Sequence, residues 1–189
     1  ASYKKILYQP DNTKRKPIFA MFMIWISCAL LYVGQISPVT FYLYNLELGA
    51  LVNHTWAWVG AVVAAAGVII EMVADAQKSA AKKINANRFV SHGLYRIVRC
   101  PNYFGEVLMW TGSFLICFGA CCTVGQWIVA SLGYIGIVYV MFSRAHRLEL
   151  RQNETYGNDP EFQAYIKRTP LILPLVPIYS VAKHTWLKG

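Results

Sequence analysis

The chain has 189 residues, 56% of them hydrophobic and 14% charged, with a mean hydropathy of +0.37. Long apolar runs at this level exclude an ordinary soluble domain and point to an integral membrane protein. The net charge of +9 would suit nucleic acid if it formed one patch. Instead five of the eighteen Lys and Arg precede Ile18, six lie between Gln77 and Tyr103, and seven follow Phe142.

Apolar runs cover 18–34, 56–76, 104–120 and 126–142, each approaching the roughly 20 residues that cross a bilayer as a helix. The segments 35–55 and 121–125 carry no Lys or Arg. Four spans, with both termini and the middle loop cytoplasmic, therefore satisfy the positive-inside rule. The expected fold class is all-α: a polytopic membrane helical bundle forming a single domain over 1–189. Five cysteines (Cys28, Cys100, Cys117, Cys121 and Cys122) show neither a CxxC pattern nor His–Cys metal spacing, so no metal is expected; four of them lie in apolar surroundings and read as small buried thiols.

Within the first third, "QISPVTFYLYNLELGAL" (35–51) is apolar, but Pro38, Asn45 and Glu47 argue against a simple lipid-facing helix. It is expected to be re-entrant or interfacial. Asn53-His54-Thr55 fits a glycosylation acceptor pattern but abuts Trp56 at the membrane, and is read as unmodified.

Charged groups inside spans are costly and mark functional candidates. In the second span Glu71 and Asp75 are four apart and share a helix face with Lys78 and Lys82. A plain structural alternative pairs these acids with Lys78, Lys82 or Arg144. Lys82, Lys83 and Arg88 read as lipid-headgroup contacts. The third span opens with "RCPNYFGE", in which Asn102 and Glu106 are again four apart. Asn102 also fits an N-cap after Pro101. The fourth span leaves the membrane through "FSRAHRLELR", which aligns Arg144 and Arg151 with His146 alongside. Acids, an amide and arginines thus meet at one cytosolic depth. Arginines grip phosphates through bidentate forks, and carboxylates accept ribose or carboxamide protons. The set suits a phosphorylated nucleotide held between helices, since neither GxGxxG nor GxxxxGK[ST] is present.

Beyond Ser143 the chain is polar to Arg168, with Asn158-Asp159-Pro160 as a helix-start signal. Prolines at 170, 174 and 177 break any further span. This tail is expected to be a short amphipathic piece lying along the membrane surface and closing over the site.

"GLYRIVRCPNYFGEVLMWTG", preceded by "EMVADAQK" and followed by "SRAHRLELRQNETYGNDPEFQAYIKRTPLILPLVP", resembles the steroid 5α-reductase-like membrane reductases. The tail positions that carry the likeness are Arg144, Glu149, Gly157, Phe162, Tyr165 and Pro170. Gln35-Ile36-Ser37-Pro38-Val39 is similar to a Q-x-x-P-V turn of that family. The likeness is densest over about 68–177, which would be the cofactor-binding half. It implies an NADPH-dependent oxidoreductase acting on a CH–CH group. Hydride would pass from the nicotinamide to an activated carbon–carbon double bond of a lipid or steroid-like substrate. The setting would be the endoplasmic reticulum or a bacterial inner membrane.

By position, the resemblance implies that Asp75, Asn102, Glu106 and Arg144 hold the cofactor. Lys78, Arg99, Tyr103 and His146 are neighbours in the same cofactor-binding set, and Tyr95 and Arg96 lie close by. Family members carry further helices ahead of this match, with a Tyr and a Glu that polarise the substrate carbonyl. Residues 1–17 are short and basic, so that half is expected to be lacking or replaced, and no catalytic acid is assigned.

Two other functions compete. Isoprenylcysteine carboxyl methyltransferases share an R-x-P-x-Y-x-G element and would use S-adenosylmethionine, but typically show Arg-His-Pro and no Glu after the Gly. A non-catalytic membrane protein with a retained cofactor pocket is the third. Partners expected besides substrate are membrane lipids, with no nucleic acid.

Overall fold

The computed structural model describes residues 8–9, 12–15, 17–184 and 187. Apart from a short antiparallel ribbon of Tyr8–Gln9 against Asn12–Arg15, its regular structure is helical. The helices are α1 (Ile18–Glu47), α2 (His54–Ile84), α3 (Pro101–Leu115), the one-turn α4 (Cys117–Ala120), α5 (Val124–Tyr156) and α6 (Pro160–Arg168). A 3₁₀ turn spans Gly93–Arg96. Among the described residues, four helical segments are long and apolar enough to cross a membrane: Ile18–Glu47, His54–Ile84, Pro101–Ala120 and Val124–Tyr156. This is a polytopic helical membrane protein.

The expectation for 35–51 needs correction. Residues 35–47 are not re-entrant; they form the second half of α1, which runs unbroken for 30 residues, about 45 Å at 1.5 Å per residue. Pro38 cannot donate to the Gly34 carbonyl four residues back, which would normally weaken the helix. The Ser37 hydroxyl donates to that carbonyl instead, at 2.8 Å. Asn45 does not face lipid either. It is buried, and its amide donates to the Ala120 carbonyl (2.6 Å) and to Gln126 Oε1 (3.2 Å). Asn53 caps α2 through its side chain, accepting from the Thr55 N–H at 2.9 Å.

The bundle closes through glycine. A Cβ placed on Gly60 would lie 2.5 Å from the Gly112 carbonyl oxygen, and one on Gly67 would lie 2.6 Å from that of Gly105. α2 and α3 therefore touch backbone to backbone over two turns, the close approach that small residues permit in membranes. α1 crosses α5 in the same way, a Cβ on Gly34 falling 2.9 Å from Gly133 Cα.

At the end opposite Asn45 and Asn53, two folded segments wrap the helix termini. The Gln77 side chain accepts from the Leu94 N–H at 2.9 Å and holds the 3₁₀ turn, whose Gly93 has φ +61° and sits against the same amide. Lys82 is not simply a headgroup contact: its ammonium donates to the carbonyls of Ala86 (2.9 Å) and Arg88 (2.6 Å) and to the Tyr156 hydroxyl (3.3 Å). Arg88 pairs with Glu161. Lys83 stays exposed.

The tail after α6, capped by Asp159 as expected, does more than lie on a surface. Leu171 and Ile172 are buried in a cluster with Cys100, Ala145, Val181 and Leu187. The Arg99 and Cys100 N–H groups donate to the Pro170 and Leu171 carbonyls at 2.8 and 2.9 Å. The tail is thus a strap sewn to the start of α3.

Candidate functional site

A cavity of about 350 Å³ opens between the polar ends of α2, α3 and α5, the 85–100 segment and α6. Its cations are Lys78, Lys82, Arg99 and Arg151, and Asn102 adds an amide. Phe89, Tyr95, Tyr156 and Tyr165 provide aromatic walls. Phe89 stacks on Tyr165 at 5.5 Å between centroids and meets Tyr156 edge-on at 5.8 Å.

Each wall is fixed by local folding. The Tyr165 hydroxyl donates to the Tyr95 carbonyl at 2.6 Å, and the Tyr95 hydroxyl donates to the Ala74 carbonyl at 3.3 Å. Burial first, then the Asp75 carboxylate, pushes the Tyr95 phenol above its ordinary range, and burial does the same for Tyr165. Both remain neutral donors through the physiological range. The Cys100 thiol, buried at the head of α3, is pushed up to about 12 by desolvation. It is an inert filler.

Of the cofactor-binding candidates, the structure brings Lys78, Arg99 and Asn102 together on the cavity wall. Asn102 is not the N-cap: Cys100 takes that position with Pro101 at the first helical residue. Among the described residues the Asn102 amide makes no hydrogen bond. It is left available to a ligand.

Arg99 has a double position. Its side chain is 1% exposed and donates to Glu149 at 2.8 Å and to the Tyr179 carbonyl, yet Nε and Nη1 have no protein partner among the described residues. Glu149 also accepts from the Val181 N–H at 2.8 Å.

A second group lies outside the cavity lining. Arg144 lies 3.8 Å from Glu106, and its guanidinium stands 5.3 Å above the Tyr103 ring. Arg144 also acts electrostatically on Glu71, next to which Asp75 stands exposed on the same helix face. The plain structural pairing considered for Glu71 and Asp75 is thus realised only in part. His146 is placed elsewhere: it is fully buried, and neither ring nitrogen has a partner among the described residues.

Sequence reasoning missed Phe89, Tyr156 and Gln152 as cavity residues, and Glu149 as the partner of Arg99. The α5 residues Leu148, Arg151, Gln152 and Thr155 repeat at helical spacing; that stripe was readable. The aromatic wall joins residues from three separate segments and was not. Among the described residues no group of His, Cys, Asp or Glu could hold a metal ion.

Fold and site together define a polytopic α-helical membrane protein with a basic, aromatic-walled cavity at one end of its bundle. The chain belongs to the family described as protein of unknown function, DUF1295, whose family model matches residues 2–169. Comparison with curated proteins and with solved structures gives no match.

Proposed function

We propose that the protein is an NADPH-dependent membrane reductase of the steroid 5α-reductase-like type, reducing an activated carbon–carbon double bond of a lipid. The observation that carries this reading is the pairing, in one cavity, of several cations with aromatic faces and an unpartnered amide. Lys78, Arg151 and the free edge of Arg99 suit phosphates; Phe89, Tyr156 and Tyr165 offer faces to a planar base; Asn102 suits a carboxamide. These residues fit a dinucleotide in donor type and charge. A cavity of about 350 Å³ would enclose part of such a molecule.

When bound, NADPH supplies the hydride. The chain's own contribution is positional. Lys78 and Arg151 hold the anionic end at the polar surface, and Asn102 orients the reacting end at the threshold of the apolar bundle. The Arg99–Glu149 pair locks the strap that helps shield this side from water. Under this reading the polar end of the bundle faces the cytosol, an orientation the clustering of Lys and Arg there supports. The membrane is that of the endoplasmic reticulum or a bacterial cell.

Titration of the protein in detergent with NADPH and, separately, with S-adenosylmethionine tests the proposal. Saturable NADPH binding, weakened about tenfold or more by Asn102→Ala and by Arg151→Ala, is expected. Binding of S-adenosylmethionine alone assigns the cavity to a methyltransferase. A folded sample that binds neither removes the enzyme reading.

A further inference from the structure

The strap carries an apolar face that neither the cavity nor the core accounts for. From Thr169 to Ala182 it holds no Asp, Glu, Lys or Arg, and exposed cations bound it on both sides, Lys167 and Arg168 before and Lys183 after. The Leu171 N–H donates to the Ile178 carbonyl at 2.8 Å and closes a loop over 172–177. The tip of this loop does not turn inward. Leu175 is fully exposed, and Val176 and Pro177 are exposed as well. With Pro174, Tyr179 and the exposed Ile97 they line a groove of about 280 Å³. Leu175 also has φ +68°, alone among the described non-glycine residues in being positive. A left-handed leucine is costly, and a fully exposed one regains nothing by burial in its own protein. Strain at an unburied apolar tip points to a contact outside the chain.

The depth of the strap indicates what that contact is. Leu171, Ile172 and Val181 belong to a buried cluster that packs against Phe104 and Phe142. Phe104 lies near the start of the apolar span Pro101–Ala120, and Phe142 closes the apolar run of α5 just before Arg144. The base of the strap is therefore level with the hydrocarbon boundary rather than in the water beyond it. Ile97, across the groove, stands four residues ahead of Pro101. A charge-free loop at this depth, with cations at both ends, suits one environment. Its apolar side chains sit beneath the headgroups while its Lys and Arg reach up to the phosphates.

We propose that the 174–177 tip is inserted into the bilayer at the polar end of the bundle, with lipid acyl chains filling the groove between it and Ile97. The proposal stands independently of the reductase reading. Insertion gives the strap a further attachment besides its backbone bonds to α3 and the Arg99–Glu149 pair. The bilayer then helps hold the Tyr179 carbonyl against Arg99, on the cavity wall.

The test needs no NADPH. The full chain carrying Leu175→Met, labelled with methyl-¹³C methionine, is placed in nanodiscs of phosphatidylcholine and phosphatidylglycerol. The added methyl signal is the one absent from the parent chain. Loss of that signal with 5-doxyl-phosphatidylcholine in the bilayer, and its survival with a water-soluble gadolinium chelate, is expected. Loss with the chelate and survival with the doxyl lipid would put the tip in water. Survival with both would put it beneath a second copy of the chain, and loss with both would leave it no deeper than the headgroups. Each of these three results overturns the proposal. Should Leu175→Met fail to fold, Val176→Met carries the same comparison.

Discussion

Arg99 and Glu149, fifty positions apart in sequence, form a buried ion pair at 2.8 Å with side chains 1% and 2% exposed. The pair joins the head of α3 to α5, and each partner also grips the tail: Arg99 the Tyr179 carbonyl, Glu149 the Val181 N–H. Burying two charges offsets much of their attraction, but removing one leaves the other stranded. Glu149→Ala should therefore lower stability by about 3–5 kcal/mol, read as a large drop in melting temperature in detergent. The double variant Arg99→Met, Glu149→Leu should recover most of it. A single variant as stable as the parent would contradict a closed pair.

Ser37 and Pro38 should show coupling. Ser37→Ala strips the Gly34 carbonyl of its substitute donor and should cost about 0.5–1.5 kcal/mol. With Pro38→Ala the backbone N–H returns, and the same Ser37→Ala change should cost markedly less. A double-mutant cycle on thermal stability measures the difference, and additive effects would rule out the substitution of hydroxyl for amide.

Gly67→Ala should be destabilising by about 1–3 kcal/mol, because the new Cβ would meet the Gly105 carbonyl and force α2 from α3. Gly125 is the control: nothing lies within 4 Å of a Cβ there. Gly125→Ala should leave the melting temperature in place.

Thiol labelling should separate the cysteines. The Cys100 thiol, pushed up to about 12 by burial, stays protonated at pH 8 and has little thiolate to react. Cys122 is exposed at the opposite end of the bundle. Iodoacetamide at pH 8 followed by peptide mass analysis should modify Cys122 and leave Cys100 intact until the protein is unfolded. Early labelling of Cys100 would mean that the strap opens readily.

The sequence by itself determined the helical membrane class and the number of spans, because a bilayer imposes a length and an apolar composition that can be counted residue by residue. It also determined which polar residues gather at one depth, since Asn102 and Glu106, or Glu71 and Asp75, need only helical spacing to share a face. Only the tertiary structure decided how that polar set divides. Lys78, Arg99 and Asn102 line a cavity, Arg144 and Glu106 pair with each other outside its lining, and His146 is buried apart. The same holds for α1. Pro38 and Asn45 read as helix-breaking and lipid-averse along the chain, but the Ser37 hydroxyl and the Ala120 carbonyl satisfy the local demands and the helix continues. Spacing along one helix is a local property. Which face meets which neighbour, and which buried group finds a partner, depends on contacts between segments far apart in sequence, such as Arg99 with Tyr179, eighty positions on.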